Sequence, residues 1–201
     1  PRLKIIPSDR IVVLFVGRFE TIKGCEQFAR AIIRAVKNGT NNIHGVMIGT
    51  GSLYENVRAF VYGKNAGHAF TFIDRLPHDQ IPEAHRRAHI YVSLNQLGQL
   101  SNANLEAMAM GACMIIPEAQ LERGIDEATQ NFISNTAVVR IPWDGQEEAL
   151  ASAIQSLAES ANKRRMLSNN LKGVVKHLIP TWDERVALEL SIISDHLGTE
   201  I

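Results

Sequence analysis

Short apolar runs alternate along the chain with stretches in which apolar residues recur every three or four positions. Ile11-Val12-Val13-Leu14-Phe15-Val16 is continuous, apolar and largely β-branched, the pattern of a strand buried on both faces. Residues 24–38 place Phe28, Ile32 and Val36 on one helical stripe, and Gly39 stands where a helix stops. Val46-Met47-Ile48 predicts a second strand ending at Gly49-Thr50-Gly51, with Leu53, Val57 and Phe60 at helical spacing behind it. Phe70-Thr71-Phe72-Ile73 predicts a third strand, Ile81 to Ala88 a short helix with Pro82 in its first turn, and His89-Ile90-Tyr91-Val92 a fourth strand. Leu105 to Met110 reads as a helix closed by Gly111, ahead of a fifth strand at Cys113-Met114-Ile115-Ile116. A sixth, from Ala137 to Ile141, precedes a helix from about residue 146 that aligns Leu150, Ile154 and Leu157.

This alternation predicts a doubly wound α/β domain: a mainly parallel, six-stranded, Rossmann-like sheet with helices on both faces. Beyond residue 160 no strand is evident. Leu167, Leu171, Val174 and Leu178 form an amphipathic stripe up to Pro180, and Thr181 with Glu184 gives a capping-box signal for a last helix carrying Val186, Leu190 and Ile193. The expectation is one domain over residues 1–201, with 1–10 a lead-in and 160–201 terminal helices.

Composition narrows the classes. At 201 residues, 45% hydrophobic and 21% charged, the chain is neither disordered nor collagen-like and can bury a core without disulfides or a structural metal. Cys25 and Cys113 lie far apart inside regular elements, which predicts buried free thiols. No apolar run reaches the length of a membrane helix and no signal-peptide pattern opens the chain, so the expected setting is soluble and cytoplasmic. The formal net charge is zero, which disfavours nucleic acid as a partner. Charge is nevertheless uneven. Residues 1–100 hold 13 Lys/Arg against 7 Asp/Glu, and residues 101–201 hold 8 against 14, so the first half is the expected side for an anion.

In open α/β sheets ligands sit at the carboxyl ends of the strands. The loop after the first strand, Gly17-Arg18-Phe19-Glu20-Thr21-Ile22-Lys23-Gly24, has glycines at both ends and two cations, and it opens a helix. Such a loop lets backbone approach a ligand, the helix start offers N–H groups, Arg18 can fork onto phosphate oxygens and Lys23 adds a point charge, so it reads as a diphosphate clamp rather than a solvated loop. Gly49-Thr50-Gly51 lacks the third glycine of a dinucleotide fingerprint, since Tyr54 occupies that place; it is either a tight turn or a point of ligand approach. A polar loop, Asn95 to Asn102, opens the helix bearing Glu106, with Ser101 and Asn102 as caps or ligand contacts. Glu106, set among Ala107, Met108 and Ala109, calls for a hydroxyl-rich ligand or for a structural pair with a nearby Arg. His85 and His89 stand four apart without a third ligand and do not make a metal site. Arg86-Arg87 and Lys163-Arg164-Arg165 read as solvated helix surface, with contact to an anionic membrane as the other reading.

Gly17-Arg18-Phe19 with Lys23-Gly24, then Ile48-Gly49-Thr50-Gly51, then Leu105-Glu106-Ala107-Met108-Ala109-Met110-Gly111, resembles the carboxyl-terminal, donor-binding half of retaining GT-B glycosyltransferases of the group 1 / family 4 type. The likeness spans roughly residues 11 to 196, and Thr181-Trp182 is similar to the segment that opens that family's final helix. The resemblance implies a nucleotide-diphosphate sugar as donor substrate, with no cofactor and no metal. It implies that Arg18 and Lys23 hold the diphosphate and act in catalysis by stabilising the leaving group. Glu106 would bind the ribose, and Arg75 and Leu76 would lie beside the base. Gly17, Gly49 and Gly51 would belong to the donor site, and the loop Gly98, Gln99, Leu100, Ser101 and Asn102 would offer backbone amides to phosphate or sugar. Where the family carries a second glutamate eight residues before Glu106, this chain has Gly98. The resemblance further implies a missing N-terminal GT-B domain that holds a glycan or lipid-linked acceptor, peripheral contact with the inner face of a membrane, and a setting in lipopolysaccharide or polysaccharide biosynthesis. A chain that begins at Pro1 and enters its first strand within about ten residues fits an excised half, expected to bind donor and to transfer nothing alone, with an apolar patch left on the last helix. The rival readings are a noncatalytic nucleotide-sugar-binding or scaffold domain and a GT-B-type nucleotide-sugar epimerase.

Overall fold

The computed structural model describes residues 2–143, 146–178 and 182–197. Six strands, β1 (Ile11–Val16), β2 (Ile43–Ile48), β3 (Phe70–Ile73), β4 (Ile90–Val92), β5 (Met114–Pro117) and β6 (Val139–Ile141), form one sheet in the order β3-β2-β1-β4-β5-β6. Every neighbouring pair is parallel. The helices between them are α1 (Cys25–Lys37), α2 (Tyr54–Gly63), α3 (Ile81–Arg87), α4 (Asn102–Ala109), α5 (Glu127–Phe132) and α6 (Gln146–Glu159), followed by α7 (Ala161–Leu178) and α8 (Trp182–Leu197). This is the doubly wound, Rossmann-like architecture that the apolar pattern predicts.

The strands are apolar throughout because their two faces feed two cores. Val13 and Phe15 point into one layer with Phe28 and Ile32 of α1, Val57 and Val61 of α2, and Leu150, Ile154 and Leu157 of α6. Val12 and Leu14, one residue out of phase, point into the other with Ile81 of α3, Ala107 and Met108 of α4, and Leu171 and Val175 of α7. Period-two alternation is thus present, but both of its faces are apolar. Leu3 and Ile6 of the lead-in pack into the second layer, and Cys25 and Cys113 are buried free thiols.

Where elements depart from the expected bounds, a specific interaction explains it. β2 begins at Ile43 rather than Val46: the buried His44 ring is hydrogen-bonded to Thr71 on β3 (2.9 Å), and a Cβ at Gly45 would lie 3.1 Å from the Phe70 ring. His89 falls just outside β4, yet its N–H donates to the Val12 carbonyl and its Nδ1 accepts the Val12 N–H at 3.0 Å. α5 has no apolar stripe; Arg140 holds its end by donating to the carbonyls of Thr129 and Ile133. The paired basic residues serve the fold: Arg86 and Arg87 both bond Glu83, and Arg164 caps α6 through the carbonyls of Leu157 and Ala158. The Thr181 capping box lies outside the described residues. Val186, Leu188, Leu190, Ile192 and Ile193 of α8 are all exposed. Among the described residues no helix is long and apolar enough to cross a membrane.

His44 and His85 are both buried, and burial pushes the pKa of each down to about 4, with Arg10 adding to the effect at His44. The unfolded chain takes up these protons near the ordinary 6.5, whereas the folded chain resists until about 4. Stability therefore falls as pH drops from about 6.5 to about 4, by up to roughly 3 kcal/mol per ring. Thermal midpoints measured across that window should decline, and His85→Phe, which keeps the edge contact with Tyr91, should flatten the decline.

Candidate functional site

The loop after β1 is fixed by what lies beneath it. Phe19 is fully buried, its ring 5.7 Å from Phe15 and 4.9 Å from Tyr54, so the loop is pinned at its centre while Arg18 stands exposed and Lys23 half-buried. Its backbone is bonded to the loop after β2 through Gly17 N–H to Ile48 O and Phe19 N–H to Thr50 O, both 3.0 Å. Gly49 and Gly51 make this approach possible: a Cβ at either would lie 2.0 Å from the Gly17 carbonyl oxygen or 2.6 Å from that of Phe19. Glu20 accepts from both the amide and the hydroxyl of Ser52, which holds its carboxyl below the usual range.

β1 and β4 are neighbours, and their connections depart to opposite faces, so the loops that follow them diverge. Between them lies a crevice of about 440 Å³ whose walls include Gly17, Arg18, Lys23, Asn95, Ser101 and Asn102. The two walls are tied together. Gln96 N–H donates to the Ile22 carbonyl at 2.8 Å, and Gly24, at φ 70°, lies so close to Leu94 that a Cβ would meet the leucine Cβ at 2.4 Å.

Under the crevice runs a buried polar network. Tyr91 OH donates to Asn104 Oδ1 (2.8 Å); Asn104 Nδ2 donates to Ser93 Oγ (2.9 Å) and to the Gln99 carbonyl (3.0 Å); Ser93 Oγ donates to Gln99 Oε1 (2.7 Å). Gln99 Nε2 reaches the Asn95 carbonyl, and Asn95 Nδ2 the Gly98 carbonyl. Buried amides and hydroxyls that satisfy one another in this way fix a loop that has no regular structure of its own. α4 starts at Asn102, on the crevice wall, and α1 at Cys25, so two helix amino ends begin where Arg18 and Lys23 stand. Burial lowers the Lys23 pKa, and the nearby Arg18 charge lowers it further. An anion placed between them would offset both effects by its attraction for the two cations.

Of the residues singled out from sequence, the fold thus brings Gly17, Arg18, Lys23, Ser101 and Asn102 to one crevice. Gly98, Gln99 and Leu100 line an adjoining cavity of about 540 Å³ that shares Asn95 and Ser101 with it. Glu106, one turn into α4, is half-buried and hydrogen-bonded to His78 Nε2 at 2.8 Å, a histidine partner that the sequence did not suggest. Arg75 and Leu76 follow β3 and do not line the crevice; Leu76 is buried in the second core layer. His85 is packed edge-on against Tyr91 and His89 serves the sheet ladder. Sequence reasoning missed Asn104 and Asp126. Asn104 carries one faint signal, a polar residue on the buried side of a short helix.

The chain resembles known proteins over most of its length. The family model described as glycosyl transferases group 1 matches residues 3–174. An uncharacterized glycosyltransferase of Methanocaldococcus jannaschii is 24% identical over 170 residues, which are 84% of this chain and 41% of that protein. Among solved structures, sucrose-phosphate synthase from Thermosynechococcus elongatus aligns with a TM-score of 0.76 at 23% identity, covering 96% of this chain and 47% of the other. The pneumococcal O-GlcNAc transferase GtfA, solved in complex with UDP and GlcNAc, aligns with a TM-score of 0.75 at 13% identity, covering 96% and 37%. The chain therefore spans about half the length, or less, of these proteins.

Asn104→Ala should destabilise the fold by roughly 2–4 kcal/mol, because it strands the buried Tyr91 hydroxyl and takes away the donor to Ser93 Oγ and the Gln99 carbonyl. Urea denaturation checks this, and an unchanged midpoint would show that the network carries no weight.

Proposed function

The chain belongs to the glycosyl transferases group 1 family, and on that premise we propose that it is the donor-binding domain of a retaining glycosyltransferase that moves a sugar from a nucleotide-diphosphate sugar to a glycan or glycolipid acceptor. The observation that carries the reading is the switch-point crevice, where Arg18 and Lys23 stand on one wall and α4 opens on the other. It is supported by the likeness to a transferase crystallised with UDP.

In this reading Arg18 grips the diphosphate through its fork, and Lys23 neutralises charge that builds on the leaving phosphate as the glycosidic bond loosens. The amino ends of α1 and α4 add fixed positive potential at the same place. These groups take the role that a metal ion fills in other sugar-nucleotide enzymes, so the transfer is metal-independent. Glu106 accepts the ribose hydroxyls, with His78 orienting its carboxylate. Retention follows if the acceptor attacks from the face the nucleotide leaves. A second α/β half supplies that acceptor, and this chain without it binds donor but transfers nothing.

Titrating the 201-residue chain with UDP, GDP and their common sugar conjugates by calorimetry should give saturable binding of at least one. Arg18→Ala and Lys23→Ala should each weaken that binding about 10- to 100-fold, as loss of a charge-assisted contact does, without lowering the thermal midpoint of the unliganded chain. Absence of binding by every nucleotide, or variants that bind as the parent does, would overturn the reading in favour of a scaffold domain.

A further inference from the structure

Asp126 has no part in the reading above, yet its geometry is unusual in three ways. First, it takes φ 66°, in the left-handed region; among the described residues only one other non-glycine, Asn65, has a positive φ. An aspartate held there costs backbone energy that its surroundings must offset. Second, Asp126 Oδ1 accepts two hydrogen bonds, from the Thr129 hydroxyl at 2.5 Å and from the backbone N–H of Gln99 at 2.7 Å, 27 residues earlier in the chain. Third, a Cβ placed on Gly98 would stand 3.2 Å from that same oxygen, so the loop can carry no larger side chain at 98 without pressing on the carboxylate.

These three facts concern one short segment. Gly98 to Ser101 and Asp126 line the same cavity of about 540 Å³, which joins the crevice through Asn95 and Ser101. The segment is anchored from below by Gln99's side chain, which bonds Ser93 and the Asn95 carbonyl. Its backbone is held from α4, where Asn104 Nδ2 donates to the Gln99 carbonyl, and from the opposite side by Asp126, which accepts the Gln99 amide. Behind the carboxylate stands Arg140, whose side chain bonds the carbonyls of Pro117, Thr129 and Ile133 and so ties the Asp126 segment to the sheet. Rigid sheet, Arg140, α5, Asp126 and the Gln99 amide thus form one continuous support.

We infer that Asp126 is a positioning residue of the donor site: by accepting the Gln99 N–H it sets the Gly98–Ser101 backbone against the ligand portion that extends beyond the diphosphate. The inference rests on the proposed donor-binding function and deepens it. Diphosphate is held by Arg18 and Lys23 on the other wall and does not depend on Asp126. The part of a nucleotide sugar that reaches into the adjoining cavity does.

The oxygen's place, not the charge, is what matters, and this separates three substitutions. Asp126→Asn retains a side-chain carbonyl at Oδ1. Asp126→Glu retains the charge but carries the carboxylate one methylene further, toward Gly98. Asp126→Ala removes the acceptor. Affinity for a nucleoside diphosphate and for its sugar conjugate, measured on the same preparations, should part company: the alanine and glutamate variants lose about tenfold for the conjugate and less than about twofold for the diphosphate, and the asparagine variant stays within about threefold of the parent for both. Hydrogen exchange should show the Gln99 amide protected in the parent and in Asp126→Asn, and opened in Asp126→Glu. If the alanine variant does not fold, the asparagine–glutamate contrast decides alone. Equal loss for diphosphate and conjugate, an asparagine variant as impaired as the glutamate one, or no loss in any variant would each overturn the inference while leaving the donor-binding reading in place. A parent chain that binds neither ligand would overturn both.

Discussion

The divergence of two connections from adjacent parallel strands governs this molecule. β1 hands its chain to one face of the sheet and β4 to the other, and backbone cannot fill the wedge between them. The candidate site is gathered around that wedge: the cations of the β1 loop, the start of α4, and a network of buried amides that stiffens the far wall. The two apolar layers keep both strands immobile, and in doing so they hold the wedge open.

The placement of charge follows from the same constraint. Arg18 and Lys23 sit in a loop whose centre is pinned by the wholly buried Phe19, so the backbone that carries the cations is fixed beside the crevice. Lys23 is held at a cost in its own proton affinity, from burial first and Arg18 second. Two like charges maintained at one site by packing are the feature on which the proposed diphosphate site rests.

Much of the architecture was legible in the sequence because a strand buried on both faces leaves an apolar run: Ile11–Val16 and Met114–Pro117 are unbroken ones, and Phe70–Ile73 is interrupted by Thr71 alone. The start of β2 was hidden by His44 and Gly45, whose fitness for a buried strand depends on Thr71 and Phe70 in the neighbouring one. α5 was hidden because a half-buried arginine, not an apolar stripe, secures it. The cations of the β1 loop stood out by position, between glycines at the end of a strand. Asp126 did not, since its meaning arises only when the chain brings it to Gln99, and nothing local to either residue announces the other. For Glu106 the sequence raised an arginine as the structural partner, whereas His78 arrives from the loop before α3, another contact without a local signal.

The order of the strands has a kinetic side. Four of the five pairings join strands that follow one another along the chain, and each closes with a single intervening connection. The pairing of β1 with β4 alone must bring together residues as distant as Val12 and His89, 77 positions apart. Loop-closure entropy makes such long-range contacts the slow ones to form. The sheet is accordingly two three-stranded halves zipped along one line, and the crevice opens at the end of that line. Whatever occupies it touches both halves at once and acts as a rivet: it binds only after the last join is made, and once bound it opposes the first separation.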